Sequence, residues 1–411
     1  MIWRFGWAPA AALFAAQAAW AQPVGYEEAL QAARVQQPLL QARELQVEAL
    51  RSTAEAAVEL PDPRLSAGLV NAPVTGPNAF TLDGTMMTML QVGVSQDIPN
   101  LAKRHARSGV AEADIRFAQA RLAHTRHDVL IAVGQAWVAL AYAQQRLALA
   151  TDALDDLRAL VPVARSAVAS GSARPAESLE IRRALLDIED AQTAIDAERE
   201  TAQAQLARYI AAEDPVAEGL VPSAEVDPDQ LRSTLARNPE LAVADAARDR
   251  ADATIALTQA DKRPDFGVSV SYGRRDPQYG DLVSVMGSVT LPLFAGRRQN
   301  PRIAAAEAEA AAALAEREDR LRALKAQFEA DLAAWRGAAR QWQRARAELL
   351  PLASDRVDLE IASFAAGRAE LTDVIAAKTA LALLELEILE REEAAVAAAT
   401  KLRLTYTEHG R

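Results

Sequence analysis

The chain has 411 residues, no cysteine, four histidines, and 45 basic against 56 acidic side chains. The lack of cysteine excludes disulfides, thiol catalysis and lipidation on cysteine. The acidic balance excludes the basic footprint that nucleic-acid binding requires. Alanine dominates the long middle segments, which favours helix and close helix packing.

In chain order, residues 1–21 read as a signal peptide: Arg4, an alanine-rich run carrying Leu13 and Phe14, then Ala19-Trp20-Ala21 as the cleavage signal. The apolar run is shorter than the ~20 residues of a membrane-spanning helix. Residues 25–59 read as one or two helices, ended by Leu60-Pro61-Asp62-Pro63. Strand-like runs at 64–72 and 88–98 follow, with Pro99 closing the second. A long helix is expected over 102–160, punctuated by Pro162 and Gly171, and another over 175–211. Pro215, Gly219, Pro222 and Pro228 mark a linker within 213–228. The pattern then restarts, with a helix at 229–262, strand-like runs at 265–274 and 282–294, and helices at 300–350 and 368–405 around Pro351 and Gly367.

Four landmarks recur in order. Pro38-Leu39-Leu40 answers Pro239-Glu240-Leu241, and Pro61-Asp62 answers Pro264-Asp265. Ile98-Pro99 answers Leu291-Pro292, and the segment ending in Gly171 answers the one ending in Gly367. The offsets are 201, 203, 193 and 196. The expected organisation is therefore a duplication: a first repeat over 22–215, a linker over 216–228, and a second repeat over 229–411.

The strands alternate. Phe266, Val268, Val270 and Tyr272 oppose Gly267, Ser269, Ser271 and Gly273. Val283, Val285, Val289, Leu291 and Leu293 oppose Ser284, Met286, Ser288 and Thr290, and Leu90, Val92, Val94 and Ile98 oppose Gln91, Gly93, Ser95 and Asp97. Each run is near the ~9–11 residues of a transmembrane barrel strand. A soluble sandwich alternates in the same way. Four strands cannot close a barrel, and open edges are not tolerated in lipid, so a barrel would require several copies of the chain.

The helices carry heptads. Leu314, Leu321, Phe328, Trp335, Trp342 and Leu349 fall seven apart, as do Val133, Leu140, Leu147, Leu154 and Val161. Such stripes imply coiled-coil packing. A plain coiled-coil rod shares this feature but leaves the four strands unexplained.

The chain resembles the TolC family of outer-membrane efflux channels, and within it the CzcC/CusC heavy-metal efflux branch. The carriers are the repeated element order and the segment Phe364-Ala365-Ala366-Gly367-Arg368-Ala369-Glu370-Leu371-Thr372-Asp373-Val374. Leu60-Pro61-Asp62-Pro63-Arg64-Leu65, Asn71-Ala72-Pro73-Val74, and Val94-Ser95-Gln96-Asp97-Ile98-Pro99 with Lys103-Arg104 also carry it. The resemblance implies a mainly α chain with a membrane β-barrel: four strands per chain in a trimeric twelve-stranded barrel, joined to a long α-helical coiled-coil tunnel. It implies a homotrimer in the outer membrane of a Gram-negative bacterium, in contact with lipid, with its helical domain in the periplasm. Its partners would be a periplasmic adaptor (membrane fusion) protein and an inner-membrane RND-type pump. The expected function is passive export, with heavy-metal cations as cargo. Drug efflux, type I secretion by the same fold, and a poreless periplasmic adaptor are the alternatives. Some relatives of the metal branch carry a lipidated N-terminal cysteine, which this sequence lacks.

No enzyme signature is present and no cofactor is expected. His124 and His127 read as a surface pair. Met86, Met87 and Met89 are candidate soft-cation ligands, since thioethers suit Cu(I), although packing or lipid contact explains them as well. Six residues beyond each landmark glycine, Gly171 and Gly367, stands an acid, Glu177 or Asp373. First-turn acids favour the helix dipole. The resemblance places these two at the periplasmic gate, where a trimer would form a ring of six carboxylates that selects cations. Arg368 and Phe364 are candidate braces of the closed tip. The family's second tip aspartate falls on Ala376, so a second acidic ring is not expected.

Overall fold

The computed structural model describes residues 22–82, 85–170, 174 and 176–407. The signal segment, Gly171 and Pro175 lie outside the described residues. The helices are α1 (Tyr26–Gln36), α2 (Pro38–Ala57), α3 (Leu101–Ala169), α4 (Glu177–Ile210), α5 (Pro228–Thr234), α6 (Pro239–Ala260), α7 (Gln299–Arg344), α8 (Leu350–Ala365) and α9 (Leu371–Tyr406). The strands are β1 (Gln22–Val24), β2 (Arg64–Val70), β3 (Met89–Ile98), β4 (Pro215–Ala217), β5 (Asp265–Arg274) and β6 (Leu282–Thr290). Two compact units result. One takes Met1–Gln37, Val129–Val226 and Asp331–Leu404, and the other takes Pro38–Asp128, Asp227–Ala330 and Thr405–Arg411. Each unit draws on both halves of the sequence, because helices as long as α3 and α7 pass from one unit into the other.

In the second unit the four longer strands form one antiparallel sheet in the order β2-β3-β5-β6. The hairpins β2-β3 and β5-β6 lie side by side through β3 and β5, and β2 and β6 are its edges. Pairing register puts Leu65, Val94, Val270 and Val285 in one row, and Ala67, Val92, Tyr272 and Val283 in the next. This face is apolar, and the chain leaves it uncovered: Leu65, Val94, Val270 and Val285 are 74, 49, 47 and 71% exposed. The opposite face carries Ser66, Gly93, Ser271 and Ser284 in one row. Gln91 donates to Ser271 across it at 2.5 Å. Gly273 leaves room there for Met89, whose sulfur would lie 2.6 Å from an added Cβ. A soluble sandwich would bury its apolar face against a second sheet, whereas here the face stays exposed in the chain.

A polar joint ties the hairpins to their helices. The Asn100 amide donates to Asp265 Oδ1 at 2.9 Å, and its side chain reaches Ala260 O and Asp265. Lys103 Nζ lies 2.7 Å from Asp261 and 3.0 Å from Asp265. The segment after the first hairpin is thereby locked to the segment before the second.

The first unit packs α3, α4 and α9 around Leu154, Leu157, Ala164, Ile181, Ile188, Leu371 and Ile375. The α3 heptad supplies part of this core. In the other stripe, Phe328 is buried but Leu314 and Leu349 are exposed, and Leu324, Phe328 and Leu332 form the buried line instead. Pro162 does not end a helix: α3 runs through it to Ala169. An interior proline costs about 3 kcal/mol, which packing of Leu157 and Ala164 on either side offsets. Pro351 likewise interrupts nothing, since a π turn at Ala345–Leu349 places it in the first turn of α8, where a missing N–H is harmless. The β6 strand stops at Thr290 rather than 294. A short parallel pair, β1 with β4, was not expected. Trp137 anchors it by donating to Val24 O at 2.8 Å and meeting Tyr26 edge-on.

Candidate functional site

The turn between α8 and α9 is closed by Gly367, whose φ of +69° is a left-handed conformation. The Arg368 amide donates to Ser363 O at 2.8 Å and the Gly367 amide to Phe364 O at 2.9 Å. Glycine therefore stands at this position for its backbone. The side chains of Phe364 and Arg368 are both exposed.

Both candidate acids cap helices in the same way. The Arg174 amide donates to Glu177 Oε1 at 2.9 Å, and the Glu370 amide donates to Asp373 Oδ2 at 2.9 Å. In each case an acid reaches back three residues to a backbone N–H, the returning half of a capping box. The two differ in exposure. Glu177 is buried and also meets the Arg174 guanidinium at 3.4 Å, whereas Asp373 is exposed. Ala376 is exposed one turn further on.

Sequence reasoning missed the residue that joins the two turns. Arg174 Nη2 grips both carboxylate oxygens of Glu370, at 2.9 and 3.1 Å. The hydrogen bonds it donates to Glu177 and then to Glu370 hold this guanidinium even more firmly protonated than usual. The bridge links the α3–α4 turn to the α8–α9 turn. Its only sequence signal was the shared three-residue spacing from Arg174 to Glu177 and from Glu370 to Asp373. The side chains of Glu177, Glu370 and Asp373 with Arg174 and Arg368 sum to a charge of −1 per chain.

The histidine reading requires correction. His127 is buried, with its ring nitrogen 3.1 Å from Thr405 O, while His124 faces Asp128 at 3.6 Å. Met86 and Met87 are exposed in the segment before β3, and Met89 lies over Gly273 on the polar face of the sheet. Among the described residues, no group of three or more His, Asp or Glu could hold a metal ion, and no helix is long and apolar enough to cross a membrane.

A charge cluster centred on the buried Arg146 occupies the first unit. Arg146 reaches Glu198 at 2.7 Å and Glu393 at 3.0 Å, beside a cavity of about 400 Å³. Burial pushes the Glu393 carboxyl up to about 7, with Arg146 opposing and Glu198 and Glu390 adding to the rise.

Comparison with known proteins places this architecture. The chain is 29% identical over 202 residues to the cobalt-zinc-cadmium resistance protein CzcC of Cupriavidus metallidurans, a match spanning 47% of each chain. The match thus covers about half the length of that relative. Among solved structures, a membrane protein from Pseudomonas aeruginosa shares the fold at TM-score 0.80 and 17% identity, over 94% of this chain and 91% of that one. CusC shares it at TM-score 0.74 and 15% identity, over 93% and 91%. The Campylobacter jejuni outer membrane channel CmeC does so at 0.75 and 11%, over 93% and 85%. The sequence profile described as "Outer membrane efflux protein" matches residues 29–212 and 231–406. The chain belongs to the outer membrane efflux protein family, whose members are channels and not enzymes.

Proposed function

We propose that the chain is the outer-membrane subunit of a tripartite efflux system, a homotrimer that passively conducts heavy-metal cations from the periplasm to the exterior. The observation that carries this reading is the sheet in which one face is mainly apolar and exposed while the other is rich in Ser and Gly. Water inside and lipid outside match that division. Lipid tolerates no open strand edge, and three chains of four strands give a closed ring of twelve. A periplasmic adaptor and an inner-membrane RND-type pump supply the energy and choose the cargo. The two repeats each give the barrel one hairpin. Support for metal cargo comes from the match to CzcC and from the carboxylates of Glu177, Glu370 and Asp373 at the two turns.

At the tip, the Arg174–Glu370 bridge holds the two helical turns together, and Asp373 presents a carboxylate to passing cations. Glu177 positions Arg174, while Arg368 and Phe364 face neighbouring chains. The decisive experiment is deletion of the gene, followed by growth with zinc, cobalt, cadmium, copper and silver and with a panel of drugs. Sensitivity to metals that the intact gene reverses supports the reading. Sensitivity to drugs alone overturns the cargo assignment, and absence of the protein from outer-membrane fractions overturns the channel.

A further inference from the structure

The offsets between the two halves of the sequence describe the sheet as well. Advancing β2 by 203 and β3 by 193 carries Arg64↔Ser95 onto Gly267↔Ser288, Leu65↔Val94 onto Val268↔Gly287, and Ser66↔Gly93 onto Ser269↔Met286. Each of these is a pairing in the second hairpin. The hairpins are therefore copies in register, and β3 pairs with β5 where one copy meets the next. The outer edges of β6 and β2 are the corresponding ones, and among the described residues neither has a second partner strand.

We infer that β6 of one protomer pairs antiparallel with β2 of a second copy of this chain in the register that repeats the β3–β5 pairing, setting Ser288 opposite Ser66 of the partner subunit. The inference rests on the trimeric reading above. The same rule sets Thr290 opposite Arg64 of the partner subunit and Ser284 opposite Val70 of the partner subunit, so all of β2 is paired. Val289, Gly287 and Val285 then meet Leu65, Ala67 and Leu69 of the partner subunit on the apolar face. Ser288 and Met286 meet Ser66 and Gly68 of the partner subunit on the polar face. A slip of one residue would mix the faces.

Strand tilt tests slips of two. Crossing from β2 to β5, Ser66 aligns through Gly93 with Ser271, two residues beyond its repeat equivalent Ser269. Carried round twelve strands at ~3.3 Å per residue and ~4.8 Å between strands, that stagger gives a tilt of about 35°, within the range of membrane barrels. A slip of two in one direction drops the tilt to about 20°, and in the other raises it to about 45°. Tilt rejects the first slip, and the repeat symmetry selects against the second.

Charge at the base of the strands agrees. Within the chain, Lys103 after β3 sits on Asp265 at the start of β5. Across the new seam the equivalent acid is Asp62, exposed just before β2, and the bases after β6 are Arg297 and Arg298, both exposed. The connection from Pro292 to α7 is longer than that from Pro99 to α3, which gives these arginines the reach to Asp62 of the partner subunit.

With no native cysteine, introduced pairs report directly. Ser66→Cys with Ser288→Cys, oxidised in outer membranes, is expected to give covalent dimers and trimers at about tenfold the yield of Gly68→Cys or Arg64→Cys with Ser288→Cys, because diagonal pairs lie too far apart to bridge. Higher yield from a shifted pair overturns the register and leaves the trimer standing. A parent protein that is monomeric in detergent, with no cross-link from any pair, overturns the trimer. Charge reversal gives a second readout that needs no cysteine. Asp62→Arg, or Arg297→Asp with Arg298→Asp, is expected to lower the temperature at which the trimer dissociates on a gel, and all three together to restore it. Failure to restore it overturns the Asp62 contact.

Discussion

The sheet of the second unit and the helical core of the first use the same aliphatic side chains in opposite ways. In the helical core Leu154, Ile181 and Ile188 are buried between α3, α4 and α9. In the sheet Leu65, Val270, Val283 and Val285 stand exposed on one continuous face. The serines and glycines that a soluble sheet would turn outward line the opposite face. One region is organised to remove apolar surface from water, and the other leaves it exposed, which under the proposed function faces lipid, where exposure carries no hydrophobic cost.

The largest expected effect breaks that contrast at a single step along β5. Val270→Arg on the apolar face is expected to abolish trimer assembly in the outer membrane, since an arginine facing the bilayer midplane costs about 2–4 kcal/mol per chain. Ser269→Arg, one residue away on the polar face, is expected to assemble. Heat-modifiable bands on a gel read both, and equal failure of the two would remove the distinction between faces.

Next comes the helical core. Ile188→Ala is expected to cost about 2–5 kcal/mol through lost burial and a cavity. Leu359→Ala, at an exposed α8 site, should change stability by less than about 0.5 kcal/mol. Thermal melts followed by circular dichroism compare them.

Smaller effects are expected at the tip. Arg174→Ala removes the bridge to Glu370 and should raise single-channel conductance in planar bilayers with the melting temperature unchanged. Glu177→Ala with Asp373→Ala should weaken block by divalent cations, besides costing about 1 kcal/mol per lost cap. Block identical to the parent would dismiss the carboxylates as gate residues.

The smallest effect is a slope. Glu393 has a folded-state pKa raised to about 7, so the folded protein binds this proton more tightly than the unfolded chain. Its contribution to stability is complete below the ordinary glutamate range and is lost as pH rises through about 7. Glu393→Gln should therefore reduce the gain in melting temperature between pH 8 and pH 5.

Much of this architecture was legible in the sequence because it is periodic. Alternation marked β3 and β5 within a residue or two, and Pro61-Asp62 and Pro264-Asp265 marked where β2 and β5 begin. What was missed lacks periodicity. The β1–β4 pair has three residues per strand, too few to alternate, and depends on Trp137 from a distant helix. Pro162 and Pro351 read as breaks because local propensity takes no account of the packing and the π turn that accommodate them. At the tip the two acids were visible from their spacing, but Arg174 was not, since its partner Glu370 is 196 residues away. His127 looked exposed because nothing local to it signals the Thr405 carbonyl that it faces.

The most direct test of the central claim is a cysteine scan of β5 from 266 to 273 in membranes, made possible by the absence of native cysteine. Each site is probed with a water-soluble thiol reagent and, after spin labelling, with a lipid-soluble quencher. The account predicts strict alternation: 266, 268, 270 and 272 reached from lipid, and 267, 269, 271 and 273 reached from water. Labelling of all eight positions by the water-soluble reagent, with no response to the lipid probe, would contradict it.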